Sequence, residues 1–137
     1  MELADTSAWT NRHRDPKVFA DFARRLEAGK IATCPMVELE LLWSTRDDSS
    51  FRALRARLEA LERLPIDERE WRRAMDVFGD LAALGPMHHR QVKLPDLLVA
   101  AAAESAGVPV CHYDGDYEVI ANLTGQPVRA IAPLGSL

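Results

Sequence analysis

Apolar residues follow two rhythms along the chain. Short runs at residues 2–4, 30–34 and 108–112 have the length of buried strands, and the longer segments between them repeat at helical spacing. The first run ends at Asp5 and predicts a strand close to the N-terminus. Val18, Phe19, Phe22, Ala23 and Leu26 predict a helix from Pro16, stopped by Gly29. Residues 30–35 predict a short strand or extended segment. A helix from Met36 to Trp43 should then carry Val37, Leu41 and Trp43 inward. Asp47, Asp48, Ser49 and Ser50 form a turn with capping residues. Phe51, Leu54, Leu58 and Leu61 mark an amphipathic helix, and residues 64–67 a connector. Trp71, Ala74, Met75, Phe78, Leu81 and Ala82 mark another helix ending near Gly85 and Pro86, before a polar loop at 88–93. Pro95 and Asp96 open the strongest helical run, Leu97 to Ala106, and Gly107 closes it. Val108 to His112 is a buried strand, 116–122 a short helix, 127–131 a last strand and 132–137 a loop.

Strands alternating with helices predict an α/β fold with a parallel sheet covered by helices on both faces. The helical pair between residues 51 and 84 interrupts strict alternation. With 137 residues and no internal repeat, low-complexity tract or linker, a single domain over 1–137 is expected. A chain of this size buries roughly two thirds of its unfolded surface and needs no covalent staples. Cys34 and Cys111 lie far apart without metal-type spacing, which favours reduced thiols in the cytosol over a disulfide framework. No signal peptide is expected at MELADTSAW, and no run approaches the roughly 18 apolar residues of a membrane span. The net charge of −4 argues against nucleic-acid binding by bulk charge. An acidic site can still meet phosphate through a bound cation. The arginines crowd residues 52–73, where solvated helix faces with local ion pairs are the simplest reading.

In a parallel sheet, ligands bind beyond the carboxyl ends of the strands. Asp5 ends the first strand. Asp114 and Asp116 follow the strand from Val108, Asp96 opens the helix feeding that strand, and Glu40 lies in the helix after the second strand, with Glu38 competing for its role. Taken singly, Asp5 also reads as a turn residue, and Asp96 as a first-turn acid favoured by the helix macrodipole. Together on one rim the acids would repel strongly. Such a group either raises its proton affinities or holds a cation, and all-oxygen ligands suit Mg2+ or Mn2+.

The segments ADTSAW (4–9), ELELLW (38–43), LPDLLVAAAAE (94–104) and HYDGDYEVIA (112–121) resemble the PIN-domain ribonucleases, and among them the VapC toxins of toxin–antitoxin pairs. The likeness extends through the closing TGQPVRAIAPLGSL. It implies a three-layer α/β/α sandwich and Mg2+- or Mn2+-dependent hydrolysis of RNA. It also implies a homodimer held inactive by a small antitoxin, in a heterotetramer or larger assembly. The family's acids fall on Asp5, Glu40, Asp96 and Asp114, with Asp116 accessory. Asp5, Asp96, Asp114 and Asp116 would hold metal, with Glu40 completing the shell or positioning a water. Thr6 and Ser7 match hydroxyls that orient the first aspartate or a water on the metal.

Other candidates are weaker. Arg12, Arg14 and Lys17 could meet RNA phosphates, and Trp9 and Trp43 could stack on bases or fill an antitoxin groove. Helices over 16–28 and 51–64 are candidate walls for that groove. His88, His89 and His112 suggest histidine catalysis, but His112 sits in an apolar strand, where a structural role fits better. A noncatalytic PIN-like interaction module is the alternative. A metal-dependent phosphatase would want a second acid two residues after Asp5, where Ser7 stands.

Overall fold

The computed structural model describes residues Met1–Leu137. Five parallel strands form one sheet: β1 (Glu2–Ala4), β2 (Ile31–Thr33), β3 (Glu62–Arg63), β4 (Val110–His112) and β5 (Val128–Ala130), in the order β3-β2-β1-β4-β5. Seven α-helices connect them: α1 (Thr6–Asn11), α2 (Pro16–Glu27), α3 (Pro35–Trp43), α4 (Asp48–Glu59), α5 (Glu68–Ala83), α6 (Leu94–Ala106) and α7 (Gly115–Thr124). The chain runs from β1 toward β3, then returns past β1 to β4 and β5. Right-handed crossovers therefore place α1–α4 on one face and α5–α7, which pack together, on the other. The result is a three-layer α/β/α sandwich, with the switch point of the winding between β1 and β4.

Local chemistry sets the helix ends. Asp15 caps α2 by accepting from the Lys17 and Val18 amides at 2.8 and 3.0 Å, with Pro16 in the first turn. Asp47 and Ser50 make a reciprocal capping box on α4, and Asp67 and Glu70 another on α5. The second box explains why Glu70 is buried, since its carboxylate accepts the Asp67 amide at 2.9 Å. Gly107 ends α6 at φ +69°, a left-handed turn into β4 that a side chain would strain.

Residues Asp96 to Ala103 of α6 are buried without a break. Its four consecutive alanines let the helix lie close against β1 and β4, so the helical stripe expected from periodicity becomes an all-round buried helix.

Several expectations are corrected. Trp43 is 88% exposed rather than inward: Val37 and Leu41 share the buried face of α3, and two residues beyond Leu41 lies roughly 200° around the helix. On α5 the buried stripe is Ala74, Val77 and Leu81, leaving Trp71 and Met75 exposed. α1 and the two-residue β3 carry too few apolar positions to show a rhythm. The arginine-rich stretch does form the expected local exposed pairs, Arg52–Asp48 at 2.9 Å, Arg55–Glu59 at 3.3 Å and Arg72–Glu68 at 3.3 Å, each contributing little to stability. Arg63 and Arg73 reach other elements instead, at Glu38 and Glu104, both at 2.6 Å.

One buried charge cluster stands apart. Glu2 points from β1 to Arg129 of β5 in a two-pronged pair at 2.6 and 3.0 Å, with Arg25 of α2 at 3.2 Å. Burial pushes the Glu2 carboxyl up, but the Arg129 hydrogen bonds and the two guanidinium charges outweigh it and hold the group below its ordinary 4.5. That stability is present above pH 4.5 and is lost as pH falls. Glu2→Gln should lower unfolding stability by about 1–3 kcal/mol at neutral pH, less than for a fully buried pair because the arginines keep partial solvent contact. The difference from wild type should shrink toward pH 3 in denaturant melts.

Candidate active site

β1 and β4 pair in parallel with Leu3 opposite Val110 and Ala4 opposite Cys111, and the Asp5 amide donates to the Cys111 carbonyl at 2.9 Å. Asp5 and Asp114 thus leave the sheet side by side at its carboxyl edge. Each caps the helix it enters: Asp5 accepts from the Ser7 amide at 2.9 Å, and Asp114 from the Asp116 amide at 2.9 Å. Asp96 stands in the first turn of α6, so the positive ends of α1, α6 and α7 all face this edge.

Asp96, Asp114 and Asp116 each offer an oxygen within 4.8 Å of the others. Asp96 is 2% exposed. Its Oδ1 lies 3.3 Å from the Tyr117 hydroxyl, and its buried Oδ2 has no hydrogen-bond donor. Burial first, then the charge of Asp5 and the closeness of Asp116, push the Asp96 carboxyl up to about 8. Burial acts the same way on Asp116, but hydrogen bonds from Lys93 outweigh it and hold that carboxyl down.

Lys93 is the cation of the cluster. Its Nζ lies 2.6 Å from Asp114 Oδ2 and 2.8 Å from Asp116 Oδ2. It stands 3.4 Å from Asp96 Oδ2, near enough for charge attraction but outside hydrogen-bond geometry. The Lys93 amide also donates to Asp116 at 2.9 Å.

Asp5 lies beside this trio rather than within it. Its Oδ2 accepts from Ser7 Oγ at 2.6 Å and its Oδ1 from the buried Tyr117 hydroxyl at 2.6 Å, so Tyr117 bridges Asp5 to Asp96. Ser7 Oγ in turn accepts the Tyr113 amide at 2.9 Å, fixing Asp5 to the end of β4. Thr6 serves a different acid: its hydroxyl donates to Glu40 Oε1 at 3.0 Å. Burial, opposed by that hydrogen bond and reinforced by the charge of Asp5, raises the Glu40 carboxyl. Glu38 turns away to Arg63 at 2.6 Å, so of the two competing glutamates only Glu40 faces the other acids. His112 is fully buried, and its Nδ1 accepts the Asp114 amide at 3.1 Å; burial lowers its pKa and keeps the ring neutral. It braces Asp114. His89 packs on Phe78 in the single-turn helix at His88–Gln91.

Two members of the site leave little trace in the hydropathy pattern. Tyr117 reads as an ordinary helix residue, and only its burial brings it to Asp5. Lys93 reads as loop, although a cation at a helix N-terminus opposes the macrodipole and is in that respect an anomaly.

The donor set fits a hard divalent cation. The ligand atoms are all oxygens, the buried Asp96 Oδ2 lacks a partner, and an ammonium already sits among them.

Comparisons with known proteins give the family of the chain. Residues 3–123 match the PIN domain. Ribonuclease VapC18 of Mycobacterium tuberculosis is 41% identical over 133 residues, covering 97% of this chain and 96% of that protein. Ribonuclease VapC21 of the same species is 38% identical over 135 residues, covering 98% and 96%. Among solved structures, DNA-bound VapBC from Salmonella typhimurium superposes with a TM-score of 0.72 at 18% identity, over 96% of this chain and 100% of that one. VapBC-5 of Mycobacterium tuberculosis gives 0.57 at 28% identity, over 94% and 95%. The chain belongs to the PIN-domain family, with VapC ribonucleases as relatives along nearly its whole length.

Proposed function

We propose that this protein is a Mg2+- or Mn2+-dependent endoribonuclease and the toxin of a toxin–antitoxin pair. The observation that carries the reading is the buried, unpartnered Asp96 oxygen facing Asp114 and Asp116 at the switch point of the sheet, in a chain whose near-full-length relatives are named ribonucleases.

Asp96, Asp114 and Asp116 would hold the ion, with Asp5 flanking them. Bound there, a divalent cation supplies the charge that admits a phosphodiester and acidifies a water. Ser7 and Tyr117 fix both oxygens of Asp5, and Tyr117 transmits that order to Asp96. Thr6 holds Glu40 by Oε1. Its raised proton affinity suits Glu40 to take the proton of a water attacking phosphorus in line, opposite the departing oxygen. A noncatalytic PIN-like module would need no such cluster, and a Mn2+ titration separates the two readings, because only a built site gains thermal stability by mass action.

The partner's seat is an apolar groove of about 550 Å³ on the other side of α1, walled by α2 and α4. Trp9, Leu26, Leu41, Leu54, Leu58 and Leu61 line it, with Arg12 and Arg57 among them. Arg12 stacks over Trp9 and Phe22 at 4.9 and 5.2 Å. Such a groove suits an amphipathic antitoxin segment with an acidic residue near the arginines. A second copy would cover the exposed apolar face of Trp71, Met75 and Leu94 on α5 and α6. No helix is long and apolar enough to cross a membrane. Both cysteines are free and buried, and burial pushes their thiols up to about 11 (Cys34) and 12 (Cys111); inert thiols fit the cytoplasm, where RNA is at hand.

Asp96→Asn and Asp114→Asn should fold and lose about 100-fold or more of Mn2+-dependent RNA cleavage in a fluorogenic RNA assay. Near wild-type cleavage by either variant would refute the assignment.

The Asp96 proton also sets a pH dependence. A carboxyl raised to about 8 stabilises the metal-free fold fully below its unfolded value of 3.8, and that contribution is lost as pH rises through 8. Without metal, the wild-type melting temperature should therefore fall relative to Asp96→Asn between pH 6 and 8.5. Mn2+ should stabilise wild type more at pH 8.5 than at pH 6, since it competes with that proton.

Leu54→Asp, at a half-buried wall of the groove, should abolish co-purification with the antitoxin encoded beside the toxin while leaving RNA cleavage within about twofold.

A further inference from the structure

We propose that the Lys93 ammonium is the site's own counter-ion, occupying the cation position among Asp96, Asp114 and Asp116 until a divalent ion displaces it. The inference rests on the metal-dependent reading above.

The three carboxylates whose oxygens converge within 4.8 Å are the same three that surround Lys93 Nζ, at 3.4, 2.6 and 2.8 Å. No arginine or histidine pairs with any of them, so Lys93 is the one side-chain cation paired with the trio. An ammonium and a divalent ion would need the same oxygen lone pairs and would repel each other at this range. Loading is therefore an exchange of one cation for another.

The linkage of Lys93 suits it to that exchange. Its amide is tied to Asp116 at 2.9 Å, which fixes the main chain, while its side chain is 60% exposed on a flexible four-carbon stem. The ammonium can leave without moving the backbone that orients Asp116 or starts α6. The same role accounts for a cation at the N-terminus of a helix, where the macrodipole alone disfavours it. Asp96 marks the remaining deficit: its buried Oδ2 sees the ammonium without a hydrogen bond, a place a coordinating ion fills better.

Two measurements on the intact chain test this. The first is Mn2+ affinity by titration calorimetry. Lys93→Met keeps the stem and removes the charge, and should bind Mn2+ about five- to tenfold more tightly than wild type. Lys93→Arg should restore the weaker wild-type affinity. The second is the rate at which Lys93 reacts with an acetyl N-hydroxysuccinimide ester, read by mass spectrometry. The chain has three lysines, so the exposed Lys17 and Lys30 are internal references. Acetylation of Lys93 should be slow without metal and rise several-fold with saturating Mn2+, while Lys17 and Lys30 do not change. Equal or weaker Mn2+ affinity in Lys93→Met, or a Lys93 reactivity that Mn2+ leaves unchanged, overturns the counter-ion role. If Asp96→Asn abolishes Mn2+ binding in the same series, the metal reading survives that failure. If neither wild type nor Lys93→Met binds Mn2+, both readings fall.

Discussion

The pairing of β1 with β4 is the constraint on which the site depends. These strands are distant in sequence, and their register sets Asp5 beside the end of β4 with a direct amide-to-carbonyl bond between the two exits. A one-residue slip of β1 would exchange the sides of Leu3 and Ala4, which fit different helix layers, and rotate Asp5 away from Tyr117. The acids are therefore held together by core packing, which does not relax when they repel. Repulsion is relieved instead by protonation at Asp96, by the ammonium of Lys93 and by three converging helix N-termini.

That division of labour separates a rigid layer from an adjustable one. Buried Asp5 and Tyr117 and half-buried Ser7 form a hydrogen-bonded frame, and buried His112 packs on Tyr117 and accepts the Asp114 amide, running through α1, β4 and α7. Asp114, Asp116 and Glu40 are half-buried and open to solvent on one side. Chemistry that takes in a cation and a large polyanion needs both: a frame whose geometry survives the arrival of charge, and a rim where water and substrate enter.

Much of this was legible in the sequence because the strongest signals concern burial and chain punctuation. The alternation of short apolar runs with helical stripes announced the parallel sheet, and the acids at successive strand ends pointed to its carboxyl edge as the candidate site. Asp5, Asp96 and Asp114 fall where strand exits and helix starts were read, and the structure brings Asp96, Asp114 and Asp116 together. The choice between Glu38 and Glu40 was not legible from spacing, since both lie on one helix; partners on other elements, Arg63 and Thr6, separate them. Lys93 and Tyr117 escaped for the same reason, their positions being set by contacts with residues 21 or more places away. Glu2 was hidden inside an apparently apolar strand, because only the fold reveals Arg129 opposite it.

The Glu2–Arg129 pair joins residues 127 positions apart in the chain, across β1 and β5. During synthesis Arg25 is available to Glu2 early, whereas Arg129 can complete its two-pronged pair only once β5 has followed β4. The sheet thus completes its charge balance only when its edge strand β5 docks, so that pairing β5 and neutralising a carboxylate on β1 become one event.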